Sequence, residues 1–562
     1  MRSLTTTTDH VRRRIARLAL GARVALGALV ALGAIAALPA PALASHRQLA
    51  IIEDGTELTN PAATLAQFRA LGANTVRVVL WWSQVAPDPN SRVRPSFDAT
   101  NPGAYPAAGW AQYDALVRQA QQDGLTVYIQ LSGGAPRWAE ASAPPPHPNN
   151  PTAALAWRPN AREYGQFVQA VATRYSGSYT PPGASSPLPA VHFWSLFNEP
   201  NFGEDLGPQA INDSRVATAP AMYRALVNSS WRALHGQAAH AHDTILIGEL
   251  AAQGFEPGPN PRRSGGLPGN FGQTRPQLFI RDLYCVGRNL RPLRGAAARA
   301  VQCPAGGRAA RSFRRDNPGL FQASGFSLHP YPQGQSPVSR AGNKPDYALF
   351  PDIPAVGRLL DRVNGAYGSH THFPIYNTEY GYITRPPKGR PYVTPQTAAY
   401  YINWAEYLSW RSPRIASYMQ YLLLDPAPTT ASPYNGFASG LEFFNGRPKA
   451  DYAAYRLPIF MPVTSFPRNR SVELWGNARP APFMVGDGAG PQTVSIQLDG
   501  RTVRTVAING SQPWSGYFDL HLRFAHSGNV RLAYTYPQAD PLLPVSELGQ
   551  TVYSRTIRIR VR

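Results

Sequence analysis

The sequence predicts an α/β chain, a (β/α)8 barrel followed by an all-β sandwich, on three observations. Between residues 49 and 460, eight short apolar runs alternate with amphipathic, helix-like stretches. The runs are near-continuously apolar, as strands covered on both faces are. Beyond residue 460 the pattern changes to short runs with a period of two, the signature of a sandwich. An open doubly wound sheet would place a Gly-rich phosphate turn after an early strand, and the sequence has none there.

Taken in order, the chain begins with Arg12, Arg13, Arg14 and Arg17, then an Ala/Leu/Val-rich run to Leu38, then Pro41-Ala42-Leu43-Ala44-Ser45. A basic region, an apolar region and small residues before a cut predict a secretory signal over residues 1–44. Its uncharged part, Val24 to Leu38, falls short of the ~20 residues that span a bilayer. A secreted protein with no stable membrane insertion after cleavage is therefore expected, and a monomer.

The predicted barrel strands are 49–52, 74–82, 125–131, 191–197, 244–250, 325–331, 374–380 and 416–424. Helical periodicity fills the intervals, for example at 64–72, 113–124, 164–175, 222–235, 355–364 and 397–410, with Gly72 and Gly124 where helix ends belong. The loops after strands three and five are long, and loops after barrel strands build the functional face. The boundaries expected are 45–460 for the barrel and 461–562 for the sandwich. In the latter, Asp499-Gly500 marks a hairpin, and 482–487 reads as one of the strands.

Export makes Cys285 and Cys303 a candidate disulfide; closing such a loop is worth on the order of 3 kcal/mol in the chain-entropy view. Metal binding at the cysteines is not expected, since no His or further Cys sits at ligand spacing nearby, and no metal or organic cofactor is expected for the chain. The formal charge is +21, but only Lys344, Lys388 and Lys449 are lysines. The arginines read as scattered without a dense run, so nucleic acid is not an expected partner.

Three strand ends carry chemistry. Strand four ends in Asn198-Glu199-Pro200, strand six in His329-Pro330-Tyr331 and strand seven in Asn377-Thr378-Glu379-Tyr380-Gly381-Tyr382. In a parallel barrel these ends converge, and strands four and seven lie nearly opposite across the mouth. Two opposed carboxylates, one protonated and one ionised, are what glycoside hydrolysis requires.

On these motifs the chain resembles clan A of the glycoside hydrolases, the (β/α)8 group that includes the cellulase-type family 5 and the β-xylosidase-type family 39. The resemblance covers about residues 48–460. It implies Glu199 as acid/base and Glu379 as nucleophile. It implies Asn198 on the sugar 2-hydroxyl, Arg77 beside the nucleophile, and His329 and Tyr331 at the strand-six end, with Tyr331 bonding Glu379. Two positions depart from the pattern. The strand-three end reads Gln130-Leu131-Ser132-Gly133, where family 5 carries a His. Strand eight ends Tyr421-Leu422-Leu423-Leu424-Asp425-Pro426, without the usual Trp. Trp81, Trp82, Trp138 or Tyr382 are then the expected sugar platforms. Glu249, which ends strand five in Gly248-Glu249-Leu250, could line the cleft but reads rather as a loop residue. The function expected is a retaining β-glycosidase acting on a glycan. The alternative is a non-catalytic carbohydrate-binding barrel, and a surface protein for acidic polymers would need clustered arginines.

Overall fold

The computed structural model describes residues 47–144, 155–210, 216–254, 270–332, 334–340, 342, 344–428, 436–510 and 516–562. The expected signal segment and parts of the loops after strands three and five lie outside these residues. Among the described residues no helix is long and apolar enough to cross a membrane.

Eight parallel strands close a barrel in chain order: β1 (Leu49–Glu53), β2 (Thr75–Trp81), β3 (Thr126–Ser132), β4 (Phe193–Leu196), β5 (Thr244–Ala251), β6 (Gly325–His329), β7 (Ile375–Asn377) and β8 (Ile415–Tyr421). Closure is made by β1 against β8, in register from Leu49 with Ser417 to Glu53 with Tyr421. The outward-facing residues of these strands are also buried, under the helices Pro61–Leu71, Ala107–Gln122, Ala161–Arg174, Ala219–His235, Ile353–Gly365 and Pro395–Trp410. This double cover is why the runs are apolar at almost every position.

Inside the barrel, Ile51, Tyr128, Phe193, Leu246 and Met419 form an apolar layer, with the Tyr128 and Phe193 rings stacked at 4.3 Å. Each such burial contributes about 1.5–3 kcal/mol. Nearer the C-terminal ends of the strands the interior becomes charged, with Arg77, Gln130 and Glu249 fully buried. The apolar layer is thus a floor on which a charged layer rests.

The C-terminal strands are β9 (Ile459–Phe460), β10 (Ser465–Phe466), β11 (Val472–Asn477), β12 (Gln492–Leu498), β13 (Arg501–Ile508), β14 (Tyr517–Leu522), β15 (Gly528–Thr535), β16 (Thr551–Tyr553) and β17 (Ile557–Val561). They form two sheets, β10-β17-β15-β12-β13 with β16 beside β15, and β14-β11-β9. Asp499 and Gly500 turn the β12–β13 hairpin with φ of 49° and 83°, the doubly left-handed geometry that favours Asp-Gly. The run 482–487 is not a strand: Ala481–Gly486 is a helix with proline in its first turn. Pro482 lacks the N–H a ladder needs but fits a helix start.

These sheets pack on the barrel helix Pro395–Trp410. Arg479 pairs with Glu406 at 2.6 Å, both buried, and the Tyr517 hydroxyl donates to Glu406 at 3.2 Å. A Cβ on Gly72, itself at φ 81°, would lie 2.4 Å from the Arg479 carbonyl carbon. That helix end is therefore glycine for two reasons, a left-handed cap and a close backbone approach.

The excursion between β5 and β6 holds the Cys285–Cys303 disulfide. It also corrects the reading of scattered charge. Arg288, Arg291, Arg294, Arg299, Arg308, Arg311, Arg314 and Arg315 fall here, with no Asp or Glu between 283 and 315, and all eight are exposed. In sequence Gly and Ala dilute them, but the helix Gly307–Asp316 sets Arg308, Arg311 and Arg315 on one face.

Candidate active site

The tip of β4 is held in a costly shape. Phe197 and Glu199 have φ of 73° and 32°, conformations that cost about 1–3 kcal/mol each and persist only when the surroundings impose them. The imposing contacts are visible. Phe197 packs edge-on against Tyr164 at 5.8 Å, and its ring fills the space beside Gly133, where any Cβ would meet it at 2.5 Å. The buried Asn201 amide donates to the carbonyls of Ala251 and Thr274 and accepts from the Ala251 N–H. Gln209 donates to the carbonyls of Pro200 and Leu206. Together they tie the turn to the end of β5 and aim Glu199 into the barrel mouth.

There the predicted residues meet. Arg77, on β2, bonds Glu379 at 2.9 Å, Glu249 at 3.2 Å, Asn198 Oδ1 at 3.4 Å and also Glu53. His329, at the end of β6, places Nδ1 2.8 Å from Glu199 and 3.4 Å from Glu379, and Nε2 2.9 Å from Glu249. Tyr331 donates its hydroxyl to Glu379 at 3.0 Å. Carboxylate oxygens of Glu199 and Glu379 and the His329 nitrogen all lie within 4.8 Å of one another.

Glu249 is not a loop residue. It lies within β5, fully buried, and accepts from Tyr128 (2.6 Å), Gln130 (2.9 Å) and Arg77 as well as facing His329. A register irregularity between Ile247 and Leu250, with Gly248 at φ 116° and Glu249 at φ 48°, lets this side chain join the interior layer. The available signal was a carboxylate inside an otherwise apolar strand, which burial obliges to have partners. Gln130, at the position that departs from family 5, donates from one Nε2 to both Asn198 Oδ1 (2.8 Å) and Glu249. Asn198 Nδ2 in turn donates to Asp205 at 3.2 Å. Sequence reasoning missed Asp205 as well.

The electrostatics follow from two buried cations among five carboxyl groups. Burial raises the pKa of Glu199, against the hydrogen bond and charge of His329. Burial also raises Asp205 well above the usual range, with Glu199 adding repulsion, and pushes Glu53 up to about 7 against the pull of Arg77. Glu249 goes the other way: burial would raise it, but the His329 hydrogen bond and the Arg77 charge outweigh that and hold it low. His329 is pushed up to about 10; burial opposes this, and the charge of Glu379 with the bonds to Glu199 and Glu249 overcome it. His329 is therefore an imidazolium at neutral pH, donating from both nitrogens.

A cleft of about 410 Å³ opens over these groups, lined by Glu199, Glu379 and Asn198 with Trp81, Tyr331, Tyr421 and Phe437. Of the four aromatics expected as sugar platforms, only Trp81 lines it. Trp82 is in the core, stacked on Phe167 at 5.6 Å. Neighbouring residues at a strand end point to opposite faces, so Trp81 and Trp82 cannot share the cleft. Trp138 lies against Trp82 with its indole N–H donated to Pro87. Tyr382 is buried against Tyr380 and Tyr401. Tyr421, where a Trp was absent, and Phe437 take their place.

Among the described residues two clusters carry metal-ligand atoms, Glu199/His329/Glu379 and His192/His240/Asp243. In each, a His nitrogen lies 2.6–2.8 Å from a carboxylate oxygen. That is hydrogen-bond spacing; two ligands on one zinc at ~2.1 Å would stand about 3.4 Å apart in tetrahedral geometry.

No family profile and no curated protein sequence matches the chain. Among solved structures, it is similar to a family 39 glycoside hydrolase from Bacteroides cellulosilyticus. The identity is 14%, covering 85% of this chain and 80% of the other, at TM-score 0.44. A glucosidase from Croceicoccus marinus aligns at 11% identity over 85% of this chain and 93% of that one, at TM-score 0.43. A calcium-binding mutant of Bacteroides uniformis beta-glucuronidase 2 aligns at 11% identity and TM-score 0.37 over 92% of this chain, which spans 46% of that protein. At such identities the functional reading rests on the site's own geometry.

Proposed function

We propose that the chain is a secreted retaining β-glycosidase that hydrolyses O-glycosidic bonds of a polysaccharide or oligosaccharide. The observation that carries this is the pair Glu199 and Glu379, facing each other from the ends of β4 and β7 with one oxygen of each within 4.8 Å of the other. Retaining pairs stand about 5–5.5 Å apart and inverting pairs about 6.5–9.5 Å, which leave room for a water.

Glu379 is the nucleophile. Arg77 and Tyr331 orient it, so that one oxygen attacks the anomeric carbon as the bond to the leaving oxygen breaks. Glu199, whose pKa burial raises, gives its proton to that oxygen. In the second half Glu199, now ionised, takes a proton from water as the water displaces Glu379 and restores the starting state. Asn198 has its amide oxygen occupied by Gln130 and Arg77. It uses one Nδ2 hydrogen on Asp205 and offers the other to the 2-hydroxyl. Trp81 and Tyr421 provide apolar walls for the ring faces.

The test is turnover of aryl β-glycosides and of plant and microbial polysaccharides by the mature chain, with Glu379→Gln as control. Undiminished turnover in that variant removes Glu379 from the role, and inertness of the wild type towards every glycan favours a binding barrel.

A further inference from the structure

We propose that the disulfide-stapled excursion between β5 and β6 is a docking surface for an acidic polysaccharide, separate from the cleft. Eight exposed arginines lie between residues 283 and 315 without an intervening acid. On the helix Gly307–Asp316, Arg308, Arg311, Ser312 and Arg315 stand at spacings of three and four residues and line a shallow cavity of about 610 Å³. Those spacings put them on one face, and the helical rise sets the first and last about 10 Å apart.

The opposite face of the same helix is anchored. Phe313 is 1% exposed and stacks on Tyr367 at 4.8 Å, and the Arg224 guanidinium lies over it. The cationic face is thus held outward by packing. Like charges at these spacings repel, a cost that a bound polyanion relieves. The nearest acid on the helix, Asp316, is engaged by Arg315 at 3.0 Å.

Chemistry selects the partner. Arginine forks match carboxylate and phosphate oxygens two at a time. Insertion into a lipid surface needs an apolar exposed face, and among the described residues none of the large exposed hydrophobics falls between 283 and 315. Single-stranded nucleic acid is held by stacking on exposed aromatics, and here Phe313 and Tyr284 are buried. A flexible chain carrying a carboxylate on each sugar needs neither feature.

The test is binding of polygalacturonate to the mature chain, measured by isothermal titration at 50 and 200 mM NaCl. The triple variant Arg308→Gln, Arg311→Gln, Arg315→Gln is compared with a triple of equal charge elsewhere, Arg501→Gln, Arg504→Gln, Arg558→Gln, all exposed positions. The proposal predicts that the wild type weakens on the order of tenfold between the two salt conditions. It predicts that the patch triple weakens by a similar factor at 50 mM, while the control triple stays within about twofold. Equal losses in both triples, or no loss in the patch triple, would overturn it. So would tighter binding, at matched charge concentration, of duplex DNA or phosphatidylglycerol vesicles than of polygalacturonate.

Discussion

Replacing Glu249 with Gln probes the charged layer that holds the site together. The wild-type carboxylate accepts from Tyr128, Gln130 and Arg77 and faces the His329 imidazolium, with no solvent exposure. Glutamine keeps the shape but removes the charge and turns an NH2 towards groups that are themselves donors. Breaking a buried pair from one side costs about 3–5 kcal/mol, so urea unfolding at pH 6.5 is expected to show a loss of that order. The loss also has a pH signature. His329 is held at about 10, above its ordinary 6.5. Its stabilisation is therefore complete below about pH 6.5 and fades as pH rises towards 10. The part of the penalty that comes through His329 must shrink over the same window, while the part through Arg77 stays constant. The assay is a set of urea titrations of both proteins from pH 6.5 to 9.5. A penalty under about 1 kcal/mol, or one that does not change across this range, would refute the picture of Glu249 as the counter-ion of a buried imidazolium.

Further outcomes follow from the same geometry. Glu199→Gln removes the proposed proton donor, so hydrolysis of aryl glycosides with poor leaving groups should fall by about 10²–10⁴. Dinitrophenyl glycosides should fall less, and added azide should restore turnover with a glycosyl azide as product. With Glu199 as the proposed acid and its pKa raised by burial, kcat/KM for poor leaving groups should decline on the alkaline side, and the pH profile of Glu199→Gln should lack that limb. Arg479→Met strands the buried Glu406 at the barrel–sandwich interface, with an expected loss of about 3–5 kcal/mol read by urea unfolding. Cys285→Ser with Cys303→Ser opens the stapled excursion; a loss of about 3 kcal/mol is expected, with turnover of small glycosides retained.

The barrel was legible because double burial writes itself into composition: the run from Thr244 to Ala251 is apolar but for its first residue and Gly248-Glu249. The two carboxylates were legible because Asn198-Glu199-Pro200 and Thr378-Glu379 sit at strand ends, where polarity has no packing role. Glu249 was not, because its inward turn depends on a register irregularity that only the pairing of β5 with β6 reveals. The cleft aromatics were half legible. Strand alternation alone separates Trp81 from Trp82, but Phe437 comes from beyond β8 and reaches the cleft through tertiary folding. The helix at Ala481–Gly486 passed for a strand because its six residues are too few for a period to show. The arginine surface was missed because Gly and Ala dilute it along the chain, whereas the helix Gly307–Asp316 turns Arg308, Arg311 and Arg315 onto one face.

The most direct test of the account is the configuration of the first-formed product. An aryl β-glycoside that the chain turns over is followed by proton NMR in the first minutes of reaction, before the sugar mutarotates. The separation of Glu199 and Glu379 predicts that the β-anomer appears first, with the α-anomer growing in only by mutarotation. The α-anomer appearing first would mean single displacement by water and would contradict the assignment of Glu379 as nucleophile.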